Sequence, residues 1–367
     1  MSSRHSGEVL SIRELNRGLL ERQMLLSRRR AAVAKTLEHL VGMQAQEPQA
    51  PYVGLWSRLD GFLPEQLSDL IAQRRAVRGP LMRATIHLVS TRDWARLRPL
   101  VRPVLERGFA ASPFRRSIAG VDLREVLRYG RELLTDQPRS RAELAPLLAE
   151  RWPGVDPTAL AYAMTYLEPI VQVPPRGLWG HSGQARWMTA SAWFQSDIDV
   201  RHSLDEMVMR YLAAFGPASV QDVQAWSGLR GLRQIIESQR DRLRSFQDPT
   251  GHELFDVLDG PLPDPGTPAP PRFLPPFDNA ILSHADRTRI IPSDCRDAVY
   301  RDRLMRTFLI DGFVAGTWRL EGSTLHLHPI HPLADNDLRG VIDEAERLVQ
   351  FVAVGDAPPD VELHLPG

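Results

Sequence analysis

The chain has 367 residues, of which 43% are hydrophobic and 25% are charged, a composition typical of a globular protein with two or three compact units. Its single cysteine, Cys295, excludes a disulfide framework and a thiolate metal cluster, and it has no apolar run of about 18 residues that would span a membrane. The amino-terminal residues lack the apolar core of a secretory signal, so we expect a cytoplasmic protein.

The net charge of zero conceals an uneven distribution. Residues 1–120 contain 20 Lys and Arg against 10 Asp and Glu, whereas residues 121–367 contain 25 against 35. This asymmetry predicts a polyanionic partner for the amino-terminal part. Lys35 is the only lysine. Arginine suits forked phosphate contacts, although codon usage in a GC-rich genome also explains its abundance.

Three helices and a basic hairpin are predicted first. Helical spacing indicates helices in "SIRELNRGLLERQML", capped by Ser11, in "AAVAKTLEHLVGMQAQ", ended by Glu47-Pro48, and in "PEQLSDLIAQRR", with Pro64 in its first turn. "RAVRGPLMRATIHLVS" predicts two short strands around Gly79-Pro80, and a helix from Thr91 to Phe109 follows. This order is typical of a winged helix, a variant of the helix-turn-helix.

The same order of elements recurs. The predicted helices "DLREVLRYGRELLT", "SRAELAPLLAER" and "DPTALAYAMTYLEPI" precede "VQVPPRGLWGHSGQARWMT", a hairpin in which Gly177, Gly180 and Gly183 supply turns. A third round runs from "SLDEMVMRYLAAFG" through "SVQDVQAWSG" and "LRQIIESQRDRL" to "FQDPTGHELFDV". The repeated units share the order of their elements and not their amino-acid sequence.

A proline-rich linker, "DGPLPDPGTPAPPRFLPPF", precedes a unit with the strand-like stretches "FLIDGFVAGTWRLEG" and "STLHLHPI" and the helix "DLRGVIDEAERLVQFV". We therefore predict an α+β protein with tandem winged-helix (helix-turn-helix) motifs and a carboxy-terminal β-rich domain. The predicted domains are winged helices at 1–115, 116–200 and 201–262 and the β-rich domain at 263–367.

Five stretches together resemble the winged-helix DNA glycosylases typified by AlkZ. They are "LNRGLLERQMLL", "LVGMQAQEPQAPYVGLWSRL", "RAVRGPLMRATIHLVS", "PPRGLWGHSGQARW" and "LPPFDNAILSHADRTRII". The resemblance covers almost the whole chain in the family's order. It implies three winged-helix motifs and a carboxy-terminal β-barrel around a DNA-sized channel. It also implies monofunctional excision of alkylated bases, including bulky or crosslinked adducts of natural products.

The family's catalytic element is a Gln-x-Gln motif with an apolar middle residue, which Gln44-Ala45-Gln46 matches. A purine alkylated at N7 or N3 is already positively charged and leaves as a neutral base, so the protein must supply only positioning and modest electrostatics. An amide carbonyl can accept a hydrogen bond from water or direct its dipole at a cationic sugar. We expect Gln44 and Gln46 to share these tasks, and the sequence leaves their division open.

The position of the glutamine pair at a predicted helix end constrains this hypothesis. Residues two apart do not share a face of a regular helix, so both amides converge only if the helix loosens before Pro48. The alternative is a pair of solvated amides at a helix end. Glu47 is interpreted as a helix-end charge and not as the catalytic base.

Both hairpins offer candidate DNA contacts, namely Arg75, Arg78, Arg83 and His87 in the first and Arg176, Trp179, His181 and Arg186 in the second. Wings commonly flank a groove and contact phosphates, and an aromatic hairpin suits a distorted minor groove. The alternatives are a solvated turn for the arginines, a structural role for His87 and a buried core role for Trp179. Asp278 and Asn279 are candidates to line the cleft.

No metal or cofactor is predicted. His326 and His328 share a strand face, but no third ligand accompanies them at a recognisable spacing, and no glycine-rich phosphate motif indicates a nucleotide cofactor. We expect a monomer that acts on duplex DNA with an alkylated purine in the nucleoid. The alternative is a non-catalytic winged-helix regulator or damage sensor. Three tandem units in one chain argue against a simple dimeric regulator.

Overall fold

The computed structural model describes residues 7–195, 201–353, 358 and 360–365. In these ranges the chain forms a mixed α/β fold with seventeen α-helices and three sheets of six, five and two strands. None of the helices in the described ranges combines the length and hydrophobicity needed to cross a membrane.

The first segment begins with α1 (Ile12–Arg22), α2 (Val33–His39), β1 (Met43–Gln44), α3 (Ala50–Trp56) and α4 (Pro64–Ala72). It continues with the hairpin strands β2 (Ala76–Pro80) and β3 (Ile86–Ser90) and with α5 (Thr91–Leu100), α6 (Arg102–Ala111) and α7 (Pro113–Ser117). The predicted cap of α1 is confirmed, because Ser11 accepts a hydrogen bond from the Glu14 backbone N–H. The hairpin turn falls at 81–85 and not at Gly79-Pro80. The helix predicted from Thr91 to Phe109 is divided at Val101, two residues before a proline that cannot donate a backbone hydrogen bond.

The second helix is much shorter than predicted. It ends at His39 because Val41 and Gly42 adopt left-handed conformations with φ of 53° and 87°, and the Gly42 N–H donates to the Leu37 carbonyl at 2.9 Å. A Cβ on Gly42 would lie 2.4 Å from Val89 Cγ1, so glycine permits β1 to approach β3 closely. Gln44 therefore lies on a strand, and the prediction that the glutamine pair ends a helix is wrong.

The second segment comprises α8 (Leu123–Asp136), β4 (Arg139–Ser140), α9 (Arg141–Arg151), α10 (Pro157–Leu167), β5 (Ile170–Val173), β6 (Arg186–Thr189) and α11 (Ala190–Phe194). Its strands join those of the first segment in one sheet with the order β1-β3-β2-β5-β6-β4. The two halves meet where Arg78 of β2 pairs with Gln172 of β5. Each half has the same strand order when counted outward from this junction.

The third segment contains α12 (Leu204–Phe215), α13 (Val220–Ser227), α14 (Arg233–Glu237) and a hairpin of β7 (Leu243–Gln247) and β8 (Glu253–Val257). The last segment contains β9 (Arg272–Leu274), α15 (Asn279–Leu282), α16 (Arg296–Arg301), β10 (Thr307–Ile310), β11 (Phe313–Glu321), β12 (Thr324–Pro329), α17 (Asp335–Val352) and β13 (Asp360–Leu363).

The carboxy-terminal sheet has the linear order β13-β12-β11-β10-β9. Apolar residues of α17, such as Val341 and Leu348, pack against Phe273 and Phe308 of this sheet and form its core. Among the described residues no pairing joins β9 to β13. The expected barrel is therefore not confirmed, and the sheet is open in this part of the chain.

Arginines of the first segment form ion pairs with acidic residues of the later segments. The pairs Arg22–Asp256, Arg58–Asp278 and Arg28–Glu344 have N–O distances of 2.7, 2.8 and 2.7 Å. The first two are buried at both ends. Part of the positive excess in residues 1–120 is thus matched by acidic residues within the fold, and only the remainder is available to a polyanionic partner.

Candidate functional site

Gln44 ends β1 beside β3, and Gln46 lies in the bend that follows this strand. Gln44 pairs with His87 across the two strands, and the Ala45 N–H donates to the Ile86 carbonyl at 2.8 Å. Gln44 lines a small cavity together with Gln23 and Asn279, whereas Gln46 lines a different one, so the two amides do not share a cavity. Gln44 is buried, with 8% of its surface exposed, whereas Gln46 is exposed.

Arg83 holds the side chain of Gln44. Its Nη2 donates to Gln44 Oε1 at 2.7 Å and to Asn279 Oδ1 at 3.1 Å, and its Nη1 donates to the Trp226 carbonyl at 2.6 Å. These acceptors are all uncharged. Burial, followed by the charge of Arg287, lowers the pKa of Arg83 to about 10, so the guanidinium remains charged near neutral pH.

His87 lies in contact with this arginine. Its ring is fully buried, with Nδ1 3.1 Å from the Thr85 carbonyl and Nε2 3.5 Å from Arg83 Nη2. Burial, followed by the charge of Arg83, lowers the pKa of His87 to about 3, so the ring is neutral. These partners assign the proton to Nδ1 and leave Nε2 to face the Arg83 donor. The geometry therefore places His87 as a structural partner of Arg83.

Gln46 lies at the rim of a cavity of about 300 Å³ at the junction of β2 and β5. Its Oε1 accepts a long hydrogen bond of 3.3 Å from the Ile86 N–H. We call this space the arginine cavity. It is lined by Gln46, Arg78, Pro80, Ala84, Ile86, Arg141, Tyr162, Thr165, Tyr166, Gln172, Arg176, Ala185 and Trp187.

Two predicted DNA contacts, Arg78 and Arg176, meet at the arginine cavity. Arg78 is buried and donates from Nη2 to the Ala45 carbonyl at 2.7 Å. Arg176 donates from Nη1 to the Gly183 carbonyl at 2.5 Å. Arg75, in contrast, is exposed at the start of the first hairpin and does not line the cavity.

The other candidates in the second hairpin lie elsewhere. Trp179 is half-buried and packs between Tyr52 and Phe351, with ring centroids 4.9 and 5.3 Å away. His181 is exposed, with Nδ1 2.8 Å from the Trp179 carbonyl. Arg186 is exposed and forms an ion pair of 3.0 Å with Glu143.

The two cleft candidates, Asp278 and Asn279, both line a small cavity with Gln44, but they make different contacts. Asp278 accepts from Arg58 at 2.8 Å and caps α15 by accepting from the Ala280 N–H at 2.8 Å, so its carboxylate is engaged within the fold. Asn279 accepts from Arg83 and donates to the Gly42 carbonyl at 3.3 Å. Asn279 therefore belongs to the network that holds Gln44.

Most residues that line the arginine cavity were not singled out from the sequence, including four large polar or aromatic ones. Arg141, Tyr162, Gln172 and Trp187 come from α9, α10, β5 and β6 of the second segment. No local pattern connects them with Gln46. Only the pairing of β2 with β5 brings them to the first hairpin, and that pairing has no signature in either stretch of sequence.

Two groups of metal-binding residue types occur in the described part of the chain. Donor atoms of His326, Glu362 and His364 lie within 4.8 Å of one another, as do those of Asp294, Cys295 and His331. Glu362 reaches His326 only through the pairing of β12 with the unpredicted strand β13, so no spacing in the sequence indicates this neighbour. Neither group lines the arginine cavity.

Comparison with known proteins agrees with this architecture. The solved structure of Streptomyces sahachiroi DNA glycosylase AlkZ is similar over 97% of this chain and 100% of that chain, with a TM-score of 0.77 and 20% sequence identity. At this identity the likeness shows a shared fold. A family model described as DNA glycosylase AlkZ-like matches residues 37–351. The chain belongs to the AlkZ-like DNA glycosylase family. No curated protein matches it.

Proposed function

We propose that the protein is a monofunctional DNA glycosylase that hydrolyses the N-glycosidic bond of cationic purines alkylated at N7 or N3 in duplex DNA, bulky and crosslinked adducts included. Membership of the family supports glycosylase chemistry. The observation that carries the choice of residues is the position of Gln46, which is exposed at the rim of a cavity rich in arginine.

The proposed reaction needs no acid to protonate the leaving group. As the bond between C1′ and N9 of a 7-alkylguanine breaks, its electron pair neutralises the positive charge of the base, which departs as a neutral molecule. The sugar becomes an oxocarbenium ion. A water held by the Gln46 carbonyl forms the new C1′–O bond and releases its proton to solvent. The same carbonyl dipole stabilises the cationic sugar.

The two glutamines have different roles in this proposal. Gln44 Oε1 already accepts from Arg83, and the nearby guanidinium charge opposes a direct role beside a cationic sugar. Within the described part of the chain, Gln46 Oε1 makes only the long hydrogen bond to Ile86, and the residue is exposed. We therefore assign water and sugar contacts to Gln46. Gln44 is a positioning residue that fixes the segment.

Repeated topology supports the proposal that the chain contains tandem winged helices. In each of the first two segments a helix, a short strand, two helices and a hairpin follow one another, and the short strand pairs with the second hairpin strand. We retain the boundaries predicted from the sequence, together with a monomeric protein that acts in the cytoplasm without a metal.

Excision from a duplex with a single 7-methylguanine tests the proposed function. The wild-type protein should produce abasic sites, which hot alkali converts to strand breaks visible on a denaturing gel. Gln46→Ala should slow single-turnover excision by about 10²-fold, the order expected for losing a group that positions the nucleophile, while duplex affinity is retained. Gln73→Ala, which alters an exposed glutamine of the same segment, is the matched control.

Two outcomes would reject this assignment. Equal rates for Gln46→Ala and the wild type would remove Gln46 from the reaction. Tight, sequence-selective binding without excision of 7-methylguanine or of a bulky nitrogen-mustard adduct would favour a non-catalytic regulator.

A further inference from the structure

The wall of the arginine cavity contains buried polar atoms that the protein itself does not satisfy. Arg78 Nε and Nη1, Gln172 Oε1 and Trp187 Nε1 have no hydrogen-bond partner in the described part of the chain. The three side chains are 2%, 8% and 4% exposed. Buried polar atoms are normally paired because an unpaired one retains the cost of its lost hydration. Three unpaired donors and one acceptor around one cavity indicate a polar occupant.

The charge around the cavity indicates the sign of this occupant. Arg78, Arg141 and Arg176 all line it, and none of them forms an ion pair with an acidic side chain of the described residues. Arg22 and Arg58, which are as deeply buried as Arg78, each face a carboxylate. Burial, followed by the nearby charge of Arg176, lowers the pKa of Arg78 to about 10, so the buried cation persists at neutral pH without a counter-ion.

The packing of the second hairpin preserves space for this cation. Gly177 has φ of 100°, and a Cβ there would lie 2.8 Å from Arg78 Cδ. The Gly177 carbonyl accepts from the Tyr52 hydroxyl at 2.8 Å, which ties the loop to α3. The loop that carries Arg176 is therefore held against Arg78, and both guanidinium groups remain beside the cavity.

We propose that the arginine cavity is a phosphate pocket that binds one phosphodiester of the damaged DNA strand next to the nucleotide whose C1′ faces Gln46. This rests on the proposed function, since Gln46 at the rim identifies the nucleotide. Guanidinium groups form forked hydrogen bonds with phosphate oxygens, and the indole N–H of Trp187 adds a neutral donor. The Gln172 carbonyl, an acceptor, takes a water that accompanies the phosphate. One anchored phosphate fixes the distance between the sugar and Gln46.

Neutralising single phosphates of the DNA tests this pocket by binding alone, without cleavage of a glycosidic bond. A set of duplexes carries a central tetrahydrofuran, a stable abasic analogue, and one methylphosphonate at successive positions on either side. Fluorescence anisotropy at constant salt should show one position, adjacent to the tetrahydrofuran, where the wild-type protein loses at least 10-fold in affinity. The double variant Arg141→Met/Arg176→Met, whose residues are only partly buried, should bind the unmodified duplex more weakly and lose less than 2-fold at that position.

Controls distinguish a DNA phosphate from a free phosphate ion, and they distinguish failure of the phosphate pocket from failure of the proposed glycosylase activity. Arg124→Met, which alters an exposed arginine outside the cavity, should keep the full methylphosphonate effect. Equal effects at all positions, or an undiminished effect in the double variant, would overturn the pocket. An increase in melting temperature with inorganic phosphate that depends on Arg141 and Arg176, without any methylphosphonate effect, would also overturn it in favour of a free phosphate ligand. A position-specific effect without excision of 7-methylguanine would support the pocket and reject the glycosylase.

Discussion

Arg83 donates a hydrogen bond to Gln44 Oε1 at 2.7 Å, and the same Nη2 lies 3.1 Å from Asn279 Oδ1. The hairpin turn between β2 and β3 is thereby joined to the glutamine segment on one side and to the start of α15 on the other. A buried amide oxygen that loses such a donor retains a cost of about 1–3 kcal/mol. The conformation of Gln44 therefore depends on an arginine nearly forty residues away.

Replacing Arg83 should disturb excision through Gln44. We expect Arg83→Met to lower kcat by about 10-fold with little change in KM, equivalent to about 1.4 kcal/mol of transition-state stabilisation. Because both residues act through one contact, adding Gln44→Ala should lower kcat little further. Single-turnover rates of the two single variants and the double variant measure this coupling. Additive losses would show that Arg83 and Gln44 act independently. Arg102→Met, which alters an exposed side chain of α6, provides the control.

Gly42→Ala should unfold the protein more easily than Gly61→Ala. Both glycines have left-handed φ, 87° and 70°, so both substitutions incur the strain of that conformation, about 1–3 kcal/mol. Only at Gly42 does the new methyl group also meet a neighbour, Val89 Cγ1 at 2.4 Å. Urea denaturation should reveal the difference, and only Gly42→Ala should slow excision, because it displaces β1. Equal losses of stability in the two variants would contradict the crowding argument.

The turn at Gly42 also illustrates which helix ends the sequence could predict and which it could not. Helical periodicity correctly located α1, α4 and most helices of the second segment, because local caps such as Ser11 and prolines such as Pro64 determine where they begin. The same periodicity carried α2 too far. Val41, a β-branched residue, adopts φ of 53° only because β1 must turn onto β3, and this tertiary requirement leaves no local signal except Gly42.

The sequence predicted the part of the candidate site whose residues are neighbours in the chain. It did not predict the part whose residues come together only through strand pairing. Gln44 and Gln46 stand out in the sequence because they are neighbours. The arginine cavity depends on the pairing of Arg78 with Gln172, which are separated by more than ninety residues. The charge asymmetry predicted a polyanionic partner, in agreement with the family, but it could not show which arginines remain available to that partner. Arginines such as Arg22 and Arg58 have carboxylate partners in distant segments, which composition alone cannot assign.

The ion pair between Arg58 and Asp278 should matter for stability and not for chemistry. Both side chains are 1% exposed, so Asp278→Asn leaves a buried guanidinium without its counter-charge. We expect a loss of about 3–5 kcal/mol in the free energy of unfolding, measured by urea denaturation. Below the melting temperature, the excision rate per folded molecule should be unchanged. Glu132→Gln, which breaks the exposed pair with Arg128, should cost less than about 1 kcal/mol. A slower excision rate in folded Asp278→Asn would show that Asp278 also contributes to the reaction.

Removing metal ions should leave excision unchanged. The proposed chemistry uses a cationic leaving group and amide positioning, and neither His-containing group in the described residues lines the arginine cavity. Protein dialysed against EDTA and assayed in EDTA should retain the single-turnover rate of untreated protein on 7-methylguanine. Loss of activity that zinc or magnesium restores would reject the metal-independent reaction. The variant His364→Ala would then show whether the carboxy-terminal cluster is responsible.

His87 should make the fold sensitive to acid. Its pKa is lowered to about 3 in the folded protein, whereas an unfolded chain protonates histidine near the ordinary value of 6.5. Between these values the unfolded state binds a proton that the folded state does not, so stability rises with pH and is lost as pH falls below 6.5. Each unit of pH in this window removes about 1.4 kcal/mol. From pH 7 to pH 4.5, His87→Gln should therefore lose about 2–3 kcal/mol less than the wild type in urea denaturation. His181→Gln, which alters an exposed ring, should follow the wild-type slope. Parallel slopes for His87→Gln and the wild type would show that the buried ring takes up a proton in the folded state.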